Sequence, residues 1–126
     1  MKRKSGNKFI NSFRYAFSGL KASYKSEHNM RIHFLIAVLV IILGLFFNIT
    51  QIEWIFVTLA IGLVISAEII NTGVEKLVDL VTTKYSEEAR DAKDISAAFV
   101  LITSLVASVV GLIIFIPYVI DWIRYL

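Results

Sequence analysis

Cysteine is absent from the chain, which excludes disulfide bonds and any metal or redox centre built on thiolates. Charge is scarce: 18% of the residues are Asp, Glu, Lys or Arg, against about a quarter in soluble domains. Apolar residues make up 57% of the chain, and the mean hydropathy is +0.73. A single soluble domain of 126 residues has too little interior to hide that much apolar surface. The chain therefore reads as one integral membrane domain. Neither G-x-x-x-x-G-K-[ST] nor G-x-G-x-x-G occurs, so any nucleotide site must be built differently from the common soluble kinds. No cleavable signal peptide is expected, because the basic start MKRKSGNK leads into an amphipathic segment instead of an apolar run. Internal repeats, low-complexity tracts and interdomain linkers are also lacking. Proline occurs once, at Pro117, where it is expected to kink or end a helix.

What the chain does contain is three long apolar runs. No residue between Arg31 and Glu53 carries a formal charge when His33 is neutral, and residues 95–120 are equally free of charge. Both are long enough for a membrane span, which needs roughly 20 mostly apolar residues. The run from Trp54 to Ala67 is too short alone and reaches that length only by taking in Glu68 and Asn71. The expected spans are residues 32–51, residues 54–81 with a cytoplasmic extension, and residues 95–120.

Lys and Arg placement sets the orientation. Eight basic residues, from Lys2 to Arg31, precede the first span, and Lys76, Lys84, Arg90 and Lys93 lie between the second and third. The turn Asn48-Ile49-Thr50-Gln51 has none. The N-terminus and the 76–94 segment are thus expected to face the cytoplasm, and the turn near residue 50 and the C-terminus to face outward. Residues 7–26 have a different pattern. At about 100° per residue, Phe9, Ile10, Phe13, Ala16, Phe17, Leu20 and Tyr24 fall within an arc of about 120°. Lys8, Arg14, Lys21 and Lys25 lie outside it. This describes a helix lying in the cytoplasmic interface, although a helix packed on the bundle and facing water has the same pattern.

The second span carries an unusual polar set. Glu68, Asn71, Glu75 and Asp79 are separated by three, four and four residues, so they form one stripe on one side of a helix. Ionisable side chains facing lipid are costly, so the stripe must face protein or a wet cleft. It could merely join helices, and Asp79 could be an ordinary surface residue. Carboxylates two turns apart also suit a divalent cation beside a general base, since Mg²⁺ is held by one or two carboxylates together with substrate phosphates. That arrangement would serve phosphoryl transfer. Glu27, at the join before the first span, is expected at the same level, unless it pairs with Arg31. Before the third span, Lys93 could meet a nucleotide phosphate and Asp94 an adenosine group. Alternatively, Asp94 caps a helix and Lys93 is an interfacial lysine.

The run EIINTGVEKLVD at residues 68–79, followed by AKDISAAFVLI, closely resembles the signature of the prokaryotic diacylglycerol kinase family. The likeness extends to YAFSGLKASY, the Glu27 junction and the three spans, so it covers nearly the whole chain. It implies an all-α integral membrane fold, with an N-terminal amphipathic interfacial helix and three transmembrane helices, assembled as a homotrimeric bundle. The implied activity is transfer of the γ-phosphate of ATP, with Mg²⁺, to a membrane lipid hydroxyl, with sites built between neighbouring subunits. No nucleic-acid partner is implied. By this resemblance Glu68 is the catalytic base and Asn71 orients it or the substrate. Glu27 and Glu75 are the metal-binding carboxylates. Lys93 and Asp94 contact the nucleotide, which Lys8, Tyr15 and Phe17 approach from the N-terminal helix. His33 stands where Gram-negative members have an acidic residue, and Thr72-Gly73 replaces their Ser-Ala. The run Met30-Arg31-Ile32-His33 is similar to the Gram-positive undecaprenol kinase branch, which favours undecaprenol over diacylglycerol as acceptor. His33 itself could contact lipid or be a hydrogen-bonded interfacial histidine.

Two competing readings remain. A small proton-coupled transporter can be as short and use a membrane Glu, but it would place the carboxylate near the midplane and usually have four spans. A non-enzymatic scaffold has no need of Glu68 and Asn71 at this depth. On the third span, Ser104, Ala107, Ser108 and Gly111 share one face at a spacing that lets helices approach closely, within or between subunits.

Overall fold

A computed structural model describes residues 6–126; Lys2, Arg3 and Lys4 of the orientation argument lie outside the described residues. The described residues form four α-helices: α1 (Lys8–Ser26), α2 (His28–Phe47), α3 (Gln51–Val81) and α4 (Glu87–Arg124). The last three are each long and apolar enough to cross a membrane.

Each boundary has a local cause. Asn7 opens α1, its side chain accepting from the Phe9 amide at 3.1 Å. Glu27 adopts extended backbone between α1 and α2, so a single residue separates the two helices. At the other end of α2, Asn48 takes left-handed backbone at φ 52°, and its amide bonds back to the carbonyls of Gly44 and Leu45. Asn tolerates that region better than most residues. The reversal ends α2 at Phe47, ahead of the expected limit at residue 51. Thr50 then starts α3 with a capping box: its amide donates to Glu53 Oε2 at 2.8 Å, while its hydroxyl accepts from the Glu53 amide at 3.3 Å.

Ser86 caps α4 by accepting from the Ala89 amide at 3.1 Å, with Glu87 and Glu88 in the first turn where the helix dipole favours them. The helix runs through Pro117 to Arg124, so of the two expectations for Pro117, a kink or an end, the end is excluded. A proline removes one intrahelical bond, and flanking turns of a long apolar helix can carry that loss.

The helices pack chiefly through α3 on α4, with α2 and α1 each against α3 and against one another. A small core forms at the end where α2 turns into α3. Ile49, Val57 and Ile114 are buried there, with Phe47, Trp54 and Tyr118 around them. Two contacts hold this end. Tyr118 donates to Glu53 Oε2 at 2.6 Å, tying α4 to the start of α3. Gly44 lets the Trp54 ring lie against α2: a Cβ there would come within 2.6 Å of Trp54 Cη2. Beyond this core the three apolar helices stand partly apart around a cleft of about 420 Å³. His33 lies at one end of it, and Ser104, Ala107, Ser108 and Gly111 line one wall. Large apolar side chains such as Leu35, Leu59 and Ile113 face outward along the helices.

α3 has 31 residues and spans about 46 Å, which exceeds a hydrocarbon core of about 30 Å. Measured from its capped start, Glu68 lies about 26 Å along the axis, Glu75 about 36 Å and Asp79 about 42 Å. If the hydrocarbon begins at that start, Glu68 reaches the opposite edge and the other two carboxylates lie past it.

Candidate active site

The polar stripe of α3 runs from a buried to an open end. Glu68 is 1% exposed and Asn71 8%, whereas the Asp79 side chain is 61% exposed. Glu75 lies half-buried between them. A carboxylate as enclosed as Glu68 needs partners, because burying an unpaired charge is costly. Neighbouring elements supply a different partner to each member of the stripe.

From α2, His33 brings Nε2 to 3.1 Å from Glu68 Oε1. The approach lies off the line of a good hydrogen bond, so Oε1 has a close ring nitrogen beside it but no aligned donor. Thr72, one turn on, donates its hydroxyl to the Glu68 carbonyl at 2.9 Å, which satisfies a buried hydroxyl within the helix. From α4, Ser96 places Oγ 2.6 Å from Asn71 Oδ1 and 2.9 Å from the Lys93 carbonyl. One hydroxyl proton serves two acceptors, and the shorter approach is to Asn71. Lys93 reaches back to Asp79, Nζ to Oδ1 at 2.7 Å.

Glu27, in the extended link between α1 and α2, meets Glu75: the two carboxyl groups are close enough to interact directly. No ion pair joins Glu27 to Arg31 among the described residues. Two carboxylates side by side repel each other unless a cation or a proton lies between them. Among the described residues, no group of three or more His, Cys, Asp or Glu side chains is arranged to hold a metal. The Glu27–Glu75 pair nevertheless has the chemistry for Mg²⁺, which takes one or two carboxylates and completes its shell with water and phosphate oxygens.

The fold thus brings Glu27, Glu68, Asn71, Glu75 and Lys93 to one place. Asp94 is exposed beside Lys93 and is not the cap of α4, a position held by Ser86, eight residues earlier. Tyr15 is half-buried on α1, while Lys8 and Phe17 are exposed. Lys8 lies at the far end of α1, roughly 28 Å along the axis from the Glu27 junction. Within one chain it is not brought to the carboxylates. Ser96 was missing from the sequence-derived site. Its signal was a hydroxyl one turn after Lys93 at the start of an otherwise apolar run.

The family profile for prokaryotic diacylglycerol kinase matches residues 14–115, and the chain belongs to that family. Among individual proteins, it is 36% identical to the undecaprenol kinase of Bacillus subtilis over 111 residues, covering 88% of this chain and 90% of that one. It is 35% identical to a diacylglycerol kinase of Haemophilus influenzae over 101 residues, covering 80% and 86% of the two chains. A diacylglycerol kinase of Escherichia coli is 28% identical over 100 residues, covering 79% and 82%.

Proposed function

We propose that this protein is an ATP-dependent lipid kinase that phosphorylates the hydroxyl of a membrane lipid, with undecaprenol as acceptor. The observation that carries this reading is the stripe itself. It holds a buried carboxylate, Glu68, two turns from a carboxylate pair, Glu27 and Glu75, whose chemistry suits Mg-ATP. The likeness to the Bacillus undecaprenol kinase over most of both chains supports undecaprenol. The diacylglycerol kinases among the relatives make diacylglycerol the second candidate.

In the reaction, the acceptor oxygen forms a bond to the γ-phosphorus, and the bond from that phosphorus to the β,γ-bridging oxygen breaks. Its electron pair leaves with ADP. Glu68 takes the proton of the acceptor hydroxyl. A base near a lipid head group, shielded from water, suits this step. Asn71 lies one turn from Glu68 and orients the base or the acceptor. Glu27 and Glu75 would hold Mg²⁺, which would supply charge neutralisation for the phosphates. Lys93 and Asp94 contribute to nucleotide binding from α4. Phosphoryl transfer rests mainly on such positioning and charge stabilisation.

The same reading has α1 lying in the cytoplasmic interface, with its exposed Phe9, Phe13 and Phe17 toward lipid and the site open to the cytoplasm. It also has three subunits assembling so that each site is completed by a neighbour. The distance of Lys8 from the carboxylates of its own chain favours such sharing. The test uses purified protein in bilayers with radiolabelled ATP, with and without Mg²⁺, offered undecaprenol and diacylglycerol in parallel. Mg²⁺-dependent labelling of undecaprenol, abolished in Glu68→Gln, is the expected result. Preferential labelling of diacylglycerol would overturn the acceptor, and full activity of Glu68→Gln would overturn the base.

A further inference from the structure

The partner of the buried carboxylate carries an inference that rests on the reading of Glu68 as the base. Glu68 is 1% exposed and His33 20%. His33 Nε2 stands 3.1 Å from Oε1, an oxygen that has no aligned hydrogen-bond donor. To act as a base Glu68 must be ionised, and an ionised carboxylate only accepts hydrogen bonds, so in that state the nitrogen facing it carries a proton. The ring comes from a different helix, five residues into α2, so the contact depends on how α2 packs against α3. It is not an accident of one helix's own periodicity. The backbone of Glu68 is separately held by Thr72, which leaves the side chain's rotation about its own bonds to be set from outside.

We propose that His33 is a positioning residue for the base. Its Nε2–H holds Oε1 of Glu68 and thereby presents the second carboxylate oxygen to the acceptor hydroxyl. The imperfect alignment fits this role, because catalytic hydrogen bonds in ligand-free enzymes are often long and tighten when substrate completes the site. A hydrogen bond to an ionised group is worth enough that its loss lowers turnover by about 10- to 100-fold. His33 also borders the apolar cleft, so a direct contact with the acceptor chain is the competing role that the test must separate.

The test compares His33→Leu, His33→Asn and His33→Gln with wild type and Glu68→Gln in the lipid phosphorylation assay, with kcat and both KM values resolved. The Gln amide reaches about as far as Nε2 and keeps a donor; the Asn amide is shorter, and Leu has none. The expected result is a fall in kcat of about 10- to 100-fold in the Leu and Asn variants. KM for ATP and lipid should stay within roughly twofold, and Gln should restore most of the turnover. Should the Leu variant fail to assemble, the contrast between Asn and Gln decides. Unchanged kcat in Leu or Asn, or a rise confined to the lipid KM, overturns the proposal while an inactive Glu68→Gln keeps the base in place. Equal loss in Gln and Leu also overturns it. Full activity of Glu68→Gln removes the base and this inference together.

Discussion

Replacing Ser96 with Ala should weaken the enzyme through Asn71. The hydroxyl lies 2.6 Å from Asn71 Oδ1, and Asn71 is only 8% exposed, so water cannot readily replace the lost partner. Leaving a buried acceptor unsatisfied costs about 1–3 kcal/mol. The second contact of Ser96, to the Lys93 carbonyl, adds little, because that carbonyl lies in the helical ladder of α4. The loss is therefore concentrated on the amide that stands one turn from Glu68. If the whole penalty appears as a misplaced Asn71 in the transition state, kcat falls by about 5- to 150-fold, at about 1.4 kcal/mol per tenfold. The assay is lipid phosphorylation by wild type, Ser96→Ala, Asn71→Ala and the double variant, with oligomer size checked for each. Once Asn71 is truncated, Ser96 has nothing left to orient, so the double variant should be little worse than Asn71→Ala. Strictly additive losses would refute the reasoning, since they would mean that Ser96 acts without Asn71. A wild-type kcat in Ser96→Ala would refute it as well.

Two further outcomes are expected. Gly44→Ala places a methyl group where Trp54 Cη2 stands 2.6 Å away, so the ring or the α2–α3 turn must shift. Overpacking of this kind costs about 1–3 kcal/mol, read as a lower thermal unfolding midpoint with kcat per folded protein retained. Gly111→Leu meets no atom within 4 Å at its Cβ in the single chain, so the fold of one chain should accommodate it. Native gels should show a weakened oligomer if a neighbouring subunit approaches this face; an unchanged oligomer would mean that lipid meets it.

The legible part of the site was the part carried by one helix. Glu68, Asn71, Glu75 and Asp79 share a face because of helical periodicity alone, and that could be read without any knowledge of the neighbours. The need for an inward-facing stripe was legible for the same reason, since the surrounding residues are apolar and lipid repels charge. Partner choice was not legible. From the residues alone Glu27 could equally have paired with Arg31 at a favourable helical spacing, and only the family resemblance set it with Glu75; in the fold it has extended backbone ahead of α2 and interacts with Glu75. Nothing in the local pattern points Ser96 to its partner, which α4 sets against it from an amide 25 positions earlier.

Composition and local pattern by themselves determined that this chain is helical, that three of its helices can cross a bilayer, and that a polar stripe marks one of them. Those properties follow from hydropathy and a 3.6-residue period, which depend only on near neighbours in the chain. Tertiary structure alone decided that His33 faces Glu68, that Ser96 faces Asn71 and that Lys93 pairs with Asp79. Each of these contacts joins separate elements, and each depends on the rotation and crossing of packed helices. Those are set by the summed shape of many side chains, as with Gly44 receiving the Trp54 ring, and not by the residues that meet.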